Sequence, residues 1–465
     1  MSAVDRRERP WRETAARGAG ALERRERATA APARSAPRDL SAGARASRAV
    51  GRAVLRRGIR TGSLRVLEDG AALRFGSGEL QASVEIHSAR AWSKLLRGGT
   101  RGLADAYELG WWDSPDLVAA IRLAARNVGG LDRVRARIAP ALAPARALGG
   151  ALRPSTRARR RRDIAAHYDL GDELFEVMLD PTLSYSCAVF EREGMTLEQA
   201  QVAKLERVCA RLDLGPGDHV VEIGTGWGGF ALHAARTRGC RVTTTISRRQ
   251  YEHARARVLE AGLQALVDVR MEDYRDLRGR YDKLVSIEMI EAVGWRHFGA
   301  FFAHCSRLLA PHGAMLLQAI TIEDRLYEAE KAARSFINTR IFPGGCLPSL
   351  GVIERCVARA TDMRTAALED ITAHYVPTLR RWRENLLAGA SRLERLGYDE
   401  RFRRLWSLYL AYCEAGFAER RIGDVQLLLV KPAWDGAGAS APPAGPARAA
   451  GAAGHKEDAS TARMG

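Results

Sequence analysis

Residues 220–235 read VVEIGTGWGGFALHAA. A short apolar strand carrying one acid, Glu222, runs into glycines at alternate positions, Gly224, Gly226 and Gly228, and then into an amphipathic helix. Glycines let the backbone turn sharply and approach a ligand, and the free N–H groups at the helix start face it. A carboxylate just before the first glycine repels a pyrophosphate and suits a ligand that offers amines and hydroxyls, which favours S-adenosylmethionine over NAD or ATP. The spacing agrees: it is GxGxG rather than GxGxxG, and the next strand, CRVTTTI, ends in Thr245 and Ile246 where a dinucleotide ribose calls for an acid.

Outward from this stretch, strands and helices alternate. A helix over 196–211 precedes the strand at 218–223, and SRRQYEHARARVLEAG follows CRVTTTI as a helix with Ser247 as N-cap. A third strand, VDVRM, leads into Glu272-Asp273-Tyr274. A fourth, YDKLVSIEM, brings Glu288 and Glu291 to the carboxyl edge, where open α/β sheets bind their ligands. The helix WRHFGAFFAHCSRLL, a turn at Pro311-His312-Gly313 and the strand AMLLQAITI complete the repeat. After Ile322 the alternation stops: a charged helix (322–337), an irregular Pro-Gly-Gly loop of the kind that builds a lid, two helices with apolar faces, and a last strand VQLLLVK. A helical insertion with an apolar interior fits a greasy substrate.

The chain has 465 residues and a net charge of +18, with cations nearly all Arg. Such a surface suits nucleic acid or phospholipid headgroups, although richness in Ala, Arg and Gly also follows from genome composition. Residues 1–58 carry almost no large aliphatic or aromatic side chains and read as a disordered basic tail, with a charged helix as the other reading. Residues 59–130 form a small α+β domain. SLRVLEDGAALRFG and LQASVEIHS alternate about a Glu-Asp-Gly turn, and Asp113-Ser114-Pro115 opens a helix. Residues 131–162 are an Ala, Pro and Arg linker, 163–433 the nucleotide-binding domain, and 434–465 a second disordered tail. The run Arg159–Arg162 at the end of the linker suits an anionic bilayer, at about 1 kcal/mol per basic residue. Nucleic acid is disfavoured because no helix-turn-helix, zinc finger or stacking sheet accompanies the charge. Seven cysteines without a CxxC pair indicate neither a metal site nor a disulfide framework. The N-terminus has no secretory h-region, and no apolar run approaches the roughly 20 residues of a membrane span. The expectation is a cytoplasmic protein bound peripherally to the inner membrane leaflet.

With these pieces in order, residues 60 to 432 resemble the cyclopropane-fatty-acyl-phospholipid synthase family of S-adenosylmethionine-dependent methyltransferases. The resemblance rests on HYDLG, YSCAVF, EIGTGWGG, TISRRQ, EDYRD, SIEMIEAVG, IFPGGCLPSL, HYVPTLRRW and YLAYCEAGF. It implies a class I methyltransferase fold, a Rossmann-like doubly wound sheet with an antiparallel last strand and helical substrate-binding insertions. It places the cofactor against Gly224, Gly226 and Gly228 below Glu222. Thr245, Ile246 and Gln250 would surround the ribose, Glu272 or Asp273 the adenine, and Tyr185-Ser186 would close over the methionine end. Gln250 then stands in for the missing ribose acid.

The family's reaction adds a methylene group to a cis double bond of a phospholipid acyl chain. An alkene is a poor nucleophile, so the sulfonium methyl must be held in line with it in a dry pocket, and the resulting carbocation must lose a proton. The resemblance implies bound bicarbonate as the base, held by the Cys187 loop, Glu291, Ile320 and Tyr375, with Cys413 as a further family position. Where many members have a histidine beside that anion, this chain has Gln318, which can donate a hydrogen bond and cannot take up a proton. A methylene- or methyl-branched product is therefore the alternative outcome. A non-catalytic lipid-binding protein on the same fold is the alternative of another class. The expected partners are unsaturated phospholipid acyl chains at a membrane surface and a second copy of the chain as a homodimer, with no nucleic acid.

Overall fold

The computed structural model describes residues 41–138, 171–245, 248–332 and 335–435. His167-Tyr168-Asp169, the run Arg159–Arg162, Ile246 and Ser247 lie outside them.

The small domain opens with helix α1 (Ala42–Gly58), capped by the Ser41 side chain and burying Val54 and Leu55. The tail read as disordered through residue 58 therefore ends before this helix. Its apolar row, Val50, Val54, Leu55 and Ile59, is short enough to be lost among Ala and Arg. Strands β1 (Gly62–Glu68) and β2 (Ala71–Ser77) form the expected antiparallel hairpin. Its turn residues Asp69 and Gly70 both have positive φ, 52° and 78°, as a two-residue loop of this twist requires. Strand β3 (Gln81–Ile86) runs parallel to β1 on its other edge. Helix α2 (Arg90–Glu108) bends at Gly99, where φ is 56°. Strand β4 (Trp112–Asp113) pairs with β3, and helix α3 (Leu117–Ile138) follows. Asp113 belongs to β4, so the cap of α3 is Asp116, whose Oδ1 accepts from the Ala119 N–H at 2.8 Å. The helix also runs past residue 130, into what reads as linker in sequence.

The larger domain begins with α4 (Asp172–Met178) and α5 (Leu197–Arg211), the latter opened by a Thr196–Gln199 capping box. Then come β5 (His219–Ile223), α6 (Gly229–Arg238), β6 (Arg241–Thr245), α7 (Arg248–Glu260), β7 (Val267–Arg270) and β8 (Tyr281–Ile287). Helices α8 (Ile290–Val293) and α9 (Phe298–Leu308) lead to β9 (Leu309–Ile322). After α10 (Tyr327–Ala332) and α11 (Leu350–Ala360) come β10 (Arg364–Asp370), α12 (Thr372–Ala388), α13 (Ala390–Arg395), α14 (Glu400–Ala418) and β11 (Ile422–Val430). The seven strands lie in the order β10-β11-β9-β8-β5-β6-β7. The five from β7 to β9 are parallel; β11 is antiparallel to both its neighbours. This is the doubly wound methyltransferase sheet with its reversed strand.

Three local readings are corrected. Pro311-His312-Gly313 is an irregularity within β9 rather than a turn, held because Lys431 and Ala433 donate backbone N–H groups to the Gly313 and Pro311 carbonyls. Within the described residues, the charged helix read over 322–337 is a 3-10 turn at Asp324–Leu326 followed by α10, with a π-turn at Ile337–Ile341 where Phe336, Ile337 and Ile341 line an apolar cavity. Strand β10 is an edge strand whose sequence, RTAALED, lacks an apolar alternation and goes unseen.

Helix α14 joins the domains. Arg404 donates to the carbonyls of Tyr107 (2.7 Å) and Trp112 (3.0 Å), pairs with Asp113 (2.9 Å), and lies 4.2 Å from the Tyr107 ring centroid. Glu419, just beyond α14, pairs with Arg122 and Arg126 of α3, both at 2.7 Å. Replacing Arg404 by Met keeps the apolar stem and removes its hydrogen bonds to two carbonyls and its pairing with Asp113. A loss on the order of 2–4 kcal/mol in urea unfolding is expected; a loss below about 0.5 kcal/mol would show that apolar contact alone docks the domains.

Candidate functional site

The carboxyl end of β5 delivers Glu222, buried among apolar strands, where its Oε2 accepts from Thr244 Oγ1 at 2.8 Å. Burial pushes this carboxyl up to about 8. Gly224, Gly226 and Gly228 follow with φ of 94°, 57° and 84°. A Cβ on Gly224 would lie 2.8 Å from Met289, whereas one on Gly226 would meet nothing within 4 Å, so the space above Gly226 is open to a ligand. Gly228 caps α6, whose first N–H groups point to the same space.

The loop 180–187 packs beside this turn. Arg257 ties the two together by donating to the carbonyls of Pro181, Thr182 and Trp227. Ser186 Oγ accepts from the buried Lys204 Nζ at 2.9 Å, and Tyr185 OH lies 2.7 Å from Tyr409 OH. An acid at the strand end, open space over a glycine and free helix N–H groups fit the amines, hydroxyls and carboxylate of S-adenosylmethionine. Thr245 ends β6, Gln250 lies in the first turn of α7 and is half-buried, and Glu272 follows β7 and is half-buried too. Asp273 is committed elsewhere: it caps its own turn and grips Arg275 with contacts of 2.6 and 2.9 Å, which holds its carboxyl low. Of the two adenine candidates, Glu272 is the freer.

A second cluster sits where β8, β9, β11 and α12 converge. Glu288, at the end of β8, has φ of 49°, a left-handed conformation that a glutamate rarely adopts. That turn sends its carboxylate inward. Oε1 accepts from the Cys187 backbone N–H (2.7 Å) and the Gln318 amide (2.8 Å), and Oε2 accepts from Tyr375 OH at 2.5 Å. Gln318 also donates to Asp424 Oδ2 at 3.1 Å and accepts from Gln426. Glu291 Oε1 accepts from the Ile320 N–H at 2.6 Å, while its Oε2 is buried without a partner. Burial, then the neighbouring Glu288 charge, push Glu291 up to about 8. Asp424 is raised well above its usual range by burial and by Glu288 and Glu291.

Glu288, Glu291, Tyr185, Tyr375, Ile320 and Cys413 line one end of a cavity of about 880 Å³, near the top of the about 300–1,000 Å³ usual for ligand pockets. Its walls continue through Phe336, Ile341 and Leu408 into the small domain, where Leu64, Val66, Trp92 and Leu123 line it. Cys413 belongs to this wall, and burial pushes its thiol up to about 12, so it is not a nucleophile at neutral pH. Cys187 contributes its backbone N–H; its thiol is buried and raised.

Two expectations change. Gln318 does not reach the cavity; it is fully buried behind Glu288 and orients it. The Cys187 N–H and Tyr375 OH, two of the groups expected to hold bicarbonate, engage the Glu288 carboxylate. Glu288 stood in the sequence reading only as a strand-end acid. The signal that could have singled it out is its pairing with Gln318: an extra acid beside the position where a basic side chain is replaced by an amide.

The family model for mycolic acid cyclopropane synthetase matches residues 155–427. The tuberculostearic acid methyltransferase UfaA1 of Mycobacterium tuberculosis is 37% identical over 403 residues, 83% of this chain and 92% of that protein. The cyclopropane-fatty-acyl-phospholipid synthase of Escherichia coli K12 is 34% identical over 357 residues, 76% of this chain and 87% of that protein. Among solved structures, the mycolic acid cyclopropane synthase CmaA1 complexed with SAH and CTAB superposes with a TM-score of 0.53 at 32% identity, covering 58% of this chain and 97% of that one.

The raised Glu222 carboxyl has a consequence for stability. Its proton is held more tightly in the folded chain, so its contribution is complete below the unfolded value of 4.5 and is lost as pH rises to about 8. Without ligand, the melting temperature of the wild type is expected to fall more steeply across that window than that of Glu222→Gln. Parallel curves would mean that Glu222 is already charged in the fold.

Proposed function

The chain belongs to the mycolic acid cyclopropane synthetase family, and from that premise we propose that it transfers a one-carbon unit from S-adenosylmethionine to the cis double bond of an unsaturated phospholipid acyl chain, closing a cyclopropane ring. The observation that carries this reading is the apolar cavity that ends on buried carboxyls beside the glycine turn. A dry channel suits a hydrocarbon chain, and acids at its end suit the cation that the chain becomes. S-adenosylmethionine supplies the electrophilic methyl when bound. Glu222, the glycine turn and the start of α6 would hold it, with Tyr185 and Ser186 over its methionine end. Phe336, Ile341 and Leu408 would align the alkene and exclude water, which would otherwise trap the cation.

A non-catalytic lipid carrier has no use for this arrangement. Several buried carboxyls lower stability unless they are paired, and Glu291 Oε2 has no partner. A methylene- or methyl-branched product is a second reading, favoured by the likeness to the tuberculostearic acid methyltransferase. For the membrane side, α1 and its C-terminal extension carry exposed Arg56, Arg57 and Arg60, next to Val54, Leu55 and Ile59 of the cavity wall. That juxtaposition suits a lipid whose phosphate stays at the surface while its chain enters. No helix among the described residues is long and apolar enough to cross a membrane.

Incubation with S-adenosylmethionine and vesicles of monounsaturated phosphatidylglycerol should yield acyl chains heavier by one methylene, with cyclopropane protons in the proton NMR spectrum. Vinylidene protons would select the branched reading, and an unaltered chain would reject both. Ala124→Trp, which fills the small-domain end of the cavity, is expected to shift the product toward shorter acyl chains. Unchanged chain selectivity would remove that end from the substrate path.

A further inference from the structure

We infer that Glu288 is a built-in base, its carboxylate standing where a bound bicarbonate would and taking the proton from the transferred methyl group. The inference rests on the reaction proposed above and concerns which group completes it. Glu288 lines the cavity, so its carboxylate faces the place of reaction. Three donors converge on it, the Cys187 N–H, the Gln318 amide and the Tyr375 hydroxyl, at 2.5–2.8 Å. Its backbone holds a φ of 49°, a strained value of the kind that persists where surrounding contacts over-determine it.

The neighbours divide the roles. Glu291 receives one backbone N–H and Asp424 one amide hydrogen bond from Gln318, so neither is as well supported as an anion. Asp424 also hydrogen-bonds Glu288; burial raises both carboxyls, and Glu288 is the one drawn back by three hydrogen bonds, from Tyr375, Cys187 and Gln318. Other titratable groups near Glu288 are the Lys204 amine, the Tyr375, Tyr185 and Tyr409 phenols and the Cys187 thiol. Burial pushes the Glu288 carboxyl up; its three hydrogen bonds and then the Lys204 charge oppose that push. Gln318 cannot accept the proton, so the amide fixes the carboxylate without competing with it.

The step balances without another reagent. The alkene π pair bonds to the sulfonium methyl, the S–C pair leaves with sulfur, and a cation remains on the adjacent carbon. A C–H of the new methyl gives its proton to Glu288, and the freed pair closes the ring. The proton leaves to solvent when the product does.

The test uses the full-length protein with S-adenosylmethionine and monounsaturated vesicles, in buffer stripped of carbon dioxide and again with added bicarbonate. The wild type is expected to turn over equally in both. Glu288→Gln, nearly isosteric, is expected to lose about 100-fold or more of kcat while S-adenosylmethionine binding by calorimetry is kept. Glu288→Gly relieves the backbone and empties the position, and added bicarbonate is expected to restore part of its activity. A wild type that needs bicarbonate overturns the inference even if every variant misfolds, and so does a Glu288→Gln protein that keeps wild-type turnover. Absence of alkylated product in both buffers would instead remove the reaction itself, and the inference with it.

Discussion

Holding one negative charge at the end of an apolar cavity is the constraint on which the rest of the structure depends. Isolated, a buried carboxylate would take up a proton rather than stay charged. Glu288 has an N–H from the loop 180–187, an amide from β9 and a hydroxyl from α12. Glu222, Glu291 and Asp424 lie within the same core with fewer donors, and each is pushed toward its neutral form. Burial pushes Glu288 the same way, and its three donors oppose that push. Because the donors come from distant parts of the chain, the site forms only when the sheet order has brought β8, β9 and β11 side by side.

The same constraint explains the second domain. The carbocation of the proposed reaction needs water kept away, and the sheet edge alone is open. Helix α14 closes it on one face with Leu408, Tyr409 and Cys413, and on the other it carries Arg404, which grips the small domain. The cavity is then walled by residues of both domains. Unfilled apolar space forgoes dispersion contacts and is costly to a fold, so ion pairs such as Glu419 with Arg122 and Arg126 hold together surfaces that apolar packing alone leaves incomplete.

Much of this is written locally and could be read from sequence. The glycine turn after Glu222, the hairpin at Asp69-Gly70 and the strand–helix alternation depend on neighbours a few residues apart. What could not be read depends on distant contacts. Strand β10 has a sequence without alternation and exists because β11 offers an edge. Helix α1 is a weak pattern that only the small-domain core makes legible. Glu288 was visible as a strand-end acid, but its direction is set by a backbone angle and by donors 30 to 101 residues away. Gln318 was visible as a departure, and the structure shows its partner: the amide donates to the Glu288 carboxylate.

A fixed base also bears on which product forms. Ring closure and methylene branching both remove a proton from the transferred methyl; they differ in whether a hydride first moves between the two former alkene carbons. A base already in place shortens the life of the first cation and favours closure. A base that had to diffuse in, or was held a little farther off, would leave time for the hydride shift. Gln318 and Tyr375 set where the Glu288 carboxylate lies, and under the proposed reaction they bear on product choice. Closely similar chains can then differ in product while sharing fold, cofactor site and cavity.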